Sequence, residues 1–323
     1  MMKTSRIPIL ELKNLCVSFN MGQGQKLYAV SGVDFHIDKG EVLGLVGESG
    51  CGKSSIARAI MQLPGPTSGE VLFCGKDLTK MTGKKLQMMR PMFQMVFQDS
   101  VSALNPRRKI IESIALPLKS KGNMKKKQRI LLAREMMESV GLDPEFSLQR
   151  PHQFSGGQCQ RIQIARALIT KPCLIICDEP VSSLDVSIQA QIINLLEIMR
   201  KQYELTMLFI SHDLSVIKNV CDRVAVMYLG KICEIAPSQQ LYQSPAHPYT
   251  AALLSAIPES DPTSPFKKLK MLRGEIPSPT DPPSGCRFRT RCPNALERCT
   301  KQEPILRGIG PQHKVACHLR NSF

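Results

Sequence analysis

The sequence predicts an α/β fold: a core of buried parallel strands around a phosphate-binding loop, with an antiparallel β layer, a helical insertion and a small cysteine-rich C-terminal extension. Three observations predict it. Gly47-Glu48-Ser49-Gly50-Cys51-Gly52-Lys53-Ser54 carries glycines with four residues between them, followed by Lys-Ser. Apolar runs return later at 174–176 and 207–210, separated by helical patterns. Near the C-terminus the composition shifts to Pro, Ser and Cys.

The elements follow in order. Over 9–19, Leu10 and Leu12, then Leu15, Val17 and Phe19, alternate with polar residues, as do Val33, Phe35 and Ile37 with Asp34, His36 and Asp38. Both segments read as half-buried antiparallel strands. The run 42–46 reads as a buried parallel strand, and 55–63 as a helix stopped by Pro64 and Gly65. Strand, loop and helix in that order set phosphates at a helix N-terminus. Glycines let backbone N–H groups approach the phosphates, Lys53 adds a charge, and the Ser54 hydroxyl suits Mg²⁺. Residues 98–153 are mostly helical in pattern, with a helix over 126–140 closed by Gly141. Runs at 224–227 and 232–235 flank Leu229-Gly230-Lys231 as a hairpin, and 258–265 and 277–285 read as linkers.

Further groups suit a phosphate loop. Cys173-Leu174-Ile175-Ile176-Cys177 is an apolar strand ending in Asp178-Glu179. Asp178 can hold Mg²⁺, and Glu179 can polarise a water for in-line attack on a γ-phosphate. Phe154-Ser155-Gly156-Gly157-Gln158 opens a helix, with Ser155 as N-cap and glycines that leave donors exposed, a second anion site. A second such site in one chain implies a dimer in which each chain completes the other's site.

The 323 residues carry 42% hydrophobic residues and a net charge of +16, which favours acidic ligands. No run is long enough for a transmembrane helix and no signal peptide is read, so a cytoplasmic location is expected. Aromatic content is 5% with no Trp, which argues against stacking on single-stranded nucleic acid. Of the 12 cysteines, eight lie in apolar segments and read as buried thiols in a reducing compartment. Cys286, Cys292, Cys299 and Cys317 stand apart. Their spacing is not that of a zinc ribbon, and four thiolates can hold a [4Fe-4S] cluster; a zinc site or free thiols stay open.

These motifs together resemble the ATP-binding cassette (ABC) family. FSGGQ is similar to its LSGGQ signature, with Phe154 in place of Leu. Gln98 in Val96-Phe97-Gln98-Asp99 resembles the Q-loop glutamine, Ser182-Ser183-Leu184-Asp185 the D-loop, and His212 the switch histidine. The resemblance implies a P-loop NTPase of the ABC ATPase type over 9–250, with a helical subdomain over about 98–161 and a separate extension over 251–323. It implies ATP and Mg²⁺ sandwiched between two chains, with His212 at the γ-phosphate, Gln98 sensing metal and water, and Phe19 or Tyr28 stacking on adenine.

Ala103-Leu104-Asn105-Pro106-Arg107 and His247-Pro248-Tyr249-Thr250 resemble motifs of the oligopeptide and dipeptide importer ATPases and their nickel-importing relatives. That resemblance implies two membrane permeases, a second ATPase, an extracytoplasmic binding protein and a place on the cytoplasmic face of the inner membrane. Leu104 and Asn105 are expected to meet a permease loop. The rival reading is a nucleic-acid-associated cassette, against which the single cassette argues.

Overall fold

The computed structural model describes residues 7–22, 24–122, 124–257 and 274–320. In chain order the elements are β1 (Leu10–Gly22), β2 (Gln25–Ile37), β3 (Val42–Val46), α1 (Lys53–Ile60), β4 (Ser68–Phe73), β5 (Lys76–Asp77), α2 (Gly83–Met89) and β6 (Phe93–Val96). Then follow α3 (Ile110–Ala115), α4 (Lys126–Ser139), α5 (Gly156–Leu168), β7 (Leu174–Asp178), α6 (Val186–Tyr203), β8 (Thr206–Ser211) and α7 (Leu214–Val220). The last are β9 (Arg223–Tyr228), β10 (Lys231–Pro237), α8 (Ser238–Gln243), α9 (Pro248–Ser255), α10 (Arg298–Lys301), β11 (Arg307–Gly310) and β12 (His313–Val315). They fall into two compact units.

The first unit holds the described residues up to Leu10, 37–41 and 72–210. Its β6, β7 and β8 pair in parallel, Val96 opposite Cys177 and Asp178 opposite Ile210. Every residue of β7 and β8 is buried, which explains their unbroken apolar runs. Helices α3, α4 and α5 pack on one another. Arg161 joins them to α6, donating to Val140 O at 2.7 Å, the end of α4, and to Gln191 Oε1 at 3.2 Å.

The second unit holds 11–36, 42–71 and the described residues from 211 onward. Here β3 pairs in parallel with β9, β9 forms the expected hairpin with β10, and β12 adds to the free edge of β10 with Val315 opposite Glu234. In β1, Leu10, Leu12, Leu15 and Val17 are buried. The alternation slips by one at Asn14, whose φ of +46° interrupts the pleat.

Several expectations shift. The helix after the loop starts at Lys53, two residues earlier than the pattern suggested, and ends at Ile60, three residues earlier. The segment 98–109 is turns rather than helix. Cys173 lies just before β7 and is half-exposed, and Cys16 and Cys74 are half-exposed as well, so those three are not core thiols. The stretch 277–285 lacks regular structure but is anchored, because Tyr28 N–H donates to Pro279 O at 3.0 Å. The other linker, 258–265, lies outside the described residues.

Candidate functional site

In the second unit, β3 runs into the loop and α1 leaves it. Gly52 has φ +108°, and a Cβ there would stand 2.1 Å from Ala29 O. At Gly47 a Cβ would stand 2.1 Å from Met227 O. No other residue fits where the loop passes so close to neighbouring backbone. Lys53 is buried, and its Nζ donates to Gly47 O at 2.8 Å and Glu48 O at 3.1 Å, which curls the loop round the ammonium. Burial raises the Cys51 thiol above its ordinary pKa, so it behaves as packing. Ser54 is half-buried in the first turn of α1, and His212 is exposed just before Asp213, which caps α7 by accepting from Ser215 N–H at 2.8 Å.

The C-terminal extension reaches this loop, which the sequence did not announce. Tyr249 Oη accepts from Glu48 N–H at 3.0 Å. The Arg291 guanidinium grips the Glu48 carboxylate with two bonds, 2.7 and 3.1 Å. Beneath them Tyr228, Tyr249 and Phe288 form an aromatic cluster with ring centroids 4.8 to 5.3 Å apart. Phe288 is fully buried, so the extension borrows a core from β9 and α9 rather than lacking one. Glu234, with no exposure at all, accepts from Ala246 N–H, His247 N–H and His313 Nε2 at 2.7 to 2.8 Å, and so pins β12 and the start of α9 to β10.

The tail cysteines influence one another. Burial first, then the neighbouring thiols of Cys299, Cys317 and Cys292, push Cys286 up to about 11. Cys292 and Cys317 are raised chiefly by burial. Among the described residues, no three His, Cys, Asp or Glu side chains stand ready-arranged to hold a metal ion.

In the first unit Asp178 is buried at the end of β7, and Glu179 follows with φ +47°. A side chain rarely adopts that conformation, which costs about 1–2 kcal/mol. Glu179 N–H donates to Ile210 O at 3.0 Å, while its Oε2 accepts from Gln98 Nε2 at 3.1 Å. Ser155 caps α5 as its type suggested: its Oγ accepts from Gln158 N–H at 3.3 Å, and Gln158 Oε1 accepts from Ser155 N–H at 2.9 Å. Ser155 and Gly156 are exposed. Gly157 has a further reason to be glycine, since a Cβ there would stand 2.7 Å from Ile188 Cγ2 on α6. Asp185, exposed, precedes α6.

Sequence reasoning passed over Gln163. It is fully buried on α5, its Oε1 accepts from Phe97 N–H at 3.0 Å, and its Nε2 donates to Phe97 O and Asp99 O at 3.4 and 3.3 Å. The backbone on both sides of Gln98 is thereby tied to the signature helix. Leu104 is a correction: it is 2% exposed and belongs to the core, so it offers nothing to a permease. Its neighbour Asn105 is exposed and spends its Oδ1 on Arg107 N–H at 3.0 Å.

The described helices include none long and apolar enough to cross a membrane. Residues 30–182 match the family described as "ABC transporter", and residues 233–299 match "Oligopeptide/dipeptide transporter, C-terminal region". The putative oligopeptide transport ATP-binding protein YkfD of Bacillus subtilis is 49% identical over 97% of this chain and 96% of its own length. The oligopeptide transport ATP-binding protein OppF of Salmonella typhimurium is 49% identical over 96% of this chain and 95% of its own. Among solved structures, the dimeric post-hydrolysis state of the cassette MJ0796 bound to ADP and Pi is similar with a TM-score of 0.65 at 31% identity, covering 71% of this chain and 98% of that one. CbiO1 of Clostridium perfringens, part of the complex cbiONQ, gives 0.64 at 25% identity over 74% of this chain and 92% of its own.

Proposed function

This chain belongs to the ATP-binding cassette ATPases that carry the oligopeptide/dipeptide transporter C-terminal region; it is the ATP-hydrolysing subunit of a peptide importer, and we propose the following division of labour among its residues. The observation that carries the reading is the joining, within one compact unit, of the phosphate loop to the extension that marks peptide transport.

Gly47 to Ser54 cradle the phosphates of ATP through backbone N–H groups. Lys53, already surrounded by Gly47 and Glu48 carbonyls, contributes the charge, and the Ser54 hydroxyl and Asp178 carboxylate hold Mg²⁺. Bound Mg²⁺ neutralises charge on the phosphates. Glu179 polarises the attacking water, and Gln98, bonded to it, senses that water and the metal. His212 contacts the γ-phosphate. Ser155 and Gly156, both exposed, together with Gly157 and Gln158 face the ATP of an opposing chain, with Asp185 close to that interface. Of the two aromatic candidates for adenine, Tyr28 is favoured, being 41% exposed. The cassette takes 9–250 and the extension 251–323.

The partners in this reading are two permeases, an extracytoplasmic binding protein and a second, different ATPase, with the assembly on the cytoplasmic face of the membrane. For the tail the proposal is a [4Fe-4S] cluster on Cys286, Cys292, Cys299 and Cys317. Its support is that neighbouring thiols of the set, after burial, help to raise Cys286, Cys292 and Cys317. Binding requires the four to draw together, and Cys286, Cys292 and Cys317 to release protons that burial now holds on.

The experiment is uptake in cells whose chromosomal copy carries Glu179→Gln. Loss of labelled oligopeptide uptake with nickel uptake intact is expected. Loss of nickel uptake with peptides unaffected transfers the protein to the nickel-importing relatives.

A further inference from the structure

We propose that Arg291, supplied by the C-terminal extension, sets the ATP affinity of the phosphate loop by neutralising the Glu48 carboxylate. The inference rests on ATP being the loop's ligand and goes beyond it by giving the extension a part in nucleotide binding.

Glu48 is the second residue of a loop whose ligand is a polyanion. An uncompensated carboxylate there repels phosphate, and the repulsion is felt strongly where solvent is partly excluded. The loop's own cation is not paired with it: Lys53 Nζ donates to the Gly47 and Glu48 carbonyl oxygens. The cancelling charge comes from 243 residues further along the chain. The Arg291 side chain is only 6% exposed and meets the Glu48 carboxylate, 23% exposed, through both terminal nitrogens at 2.7 and 3.1 Å. This planar two-point match is one that lysine cannot copy.

The guanidinium is itself held. It lies 5.8 Å over the Tyr228 ring, inside the aromatic cluster with Tyr249 and Phe288. A second arm of the extension supports the far side of the loop. Arg287 donates to Leu229 O, and the adjoining Gly230 N–H donates to Cys51 O at 2.9 Å. Lys53 is thus left to the phosphates while Arg291 silences the carboxylate, and an extension remote in sequence becomes part of the nucleotide site as a positioning element.

The test is a calorimetric titration of the purified full-length chain with ATP, without Mg²⁺ so that nothing turns over. Wild-type protein that fails to bind ATP defeats the ATPase reading itself, which separates that failure from this one. Given wild-type binding, Arg291→Ala is expected to weaken Kd about tenfold, close to 1.4 kcal/mol. Arg291→Lys should lose about threefold, since charge survives but the fork does not. Arg291→Ala combined with Glu48→Gln should return to within about threefold of wild type, because the offending charge is gone. Raising the salt from 0.05 to 0.5 M, as about a tenfold change in ionic strength, should narrow the Arg291→Ala deficit. The proposal is overturned if Arg291→Ala binds like wild type, or if the double variant is as weak as Arg291→Ala and salt changes nothing, which is the behaviour of a merely structural contact.

Discussion

Gln98 Nε2 donates to Glu179 Oε2 at 3.1 Å, linking the segment after β6 to the residue that follows β7. The bond holds the carboxylate as an acceptor. Glu179 is also fixed from behind, by its own N–H on Ile210 O and by a φ of +47° that packing must enforce. Both observations suit a group whose position is worth backbone strain.

Glu179→Gln is accordingly expected to lower steady-state hydrolysis by about 10²- to 10⁴-fold while ATP affinity stays near wild type. The amide keeps the shape and the bond to Gln98 but cannot take a proton from water. Single-turnover hydrolysis alongside an ATP titration checks it. Turnover within a few fold of wild type removes Glu179 from the role of base.

Gln163 carries the next prediction. Its three bonds to Phe97 and Asp99 are made inside a fully buried environment. Gln163→Leu keeps the volume but strands the Phe97 N–H and the two carbonyls, at a cost of about 1–3 kcal/mol for each group that stays unsatisfied. The denaturant midpoint should fall. Hydrolysis should fall about tenfold or more, because Gln98 sits between the two anchored residues and small displacements near reacting groups are expensive. Unchanged turnover in a destabilised variant would make Gln163 a stability residue only.

How much of this was legible in the sequence follows from the range of each interaction. The phosphate loop, β3, β7 and the Ser155 cap are decided within a few neighbouring residues, so local pattern sufficed. Gln163 was missed because a glutamine on a helix resembles surface, and only its burial against the Phe97 turn reveals it. Leu104 was misjudged for the mirror reason: an apolar residue beside Asn-Pro in a turn resembles a contact surface, yet it is buried. Strands β4 and β6 carry mixed patterns, and β11 and β12 are too short for a period to register. The Glu48–Arg291 pair could not be found at all, since no local rule relates charges 243 residues apart.

The tail cysteines give a prediction with three separable results. Anaerobically purified protein should be brown, with broad absorbance near about 400 nm, and Cys299→Ser should bleach it. One zinc per chain in colourless protein would replace the cluster with zinc. Metal-free protein with four titratable thiols would leave Cys286, Cys292, Cys299 and Cys317 as packing. Stability of the bleached variant should fall less than the loss of an only staple implies, because Phe288 is anchored in the aromatic cluster regardless.

His247 makes the extension sensitive to acid. The ring is 2% exposed, and its Nδ1 accepts from Tyr249 N–H at 3.0 Å as the cap of α9. An acceptor must be unprotonated, and burial pushes this imidazole down to about 4 from 6.5. Around it stand the Phe288 ring at 5.7 Å and the Glu234 carboxylate, which receives His247 N–H and His313 Nε2. The unfolded chain takes up a proton at His247 near pH 6.5 and the folded chain only near pH 4. Between those values the unfolded state binds more protons, so stability falls as pH drops, and the contribution is whole above 6.5. A lowering of this size corresponds to at most ~3 kcal/mol lost by about pH 4. His247→Asn supplies a capping oxygen that does not titrate. Its melting temperature should therefore start below wild type at pH 7.5 and draw level or pass it toward pH 4.5. Because the folded chain keeps His247 unprotonated down to about pH 4, the contact of Tyr249 Oη with Glu48 N–H stays intact, and ATP affinity should change little from this source between pH 6.5 and 4.5. Parallel melting curves for the two proteins from pH 7.5 to 4.5 would assign the acid sensitivity to other groups.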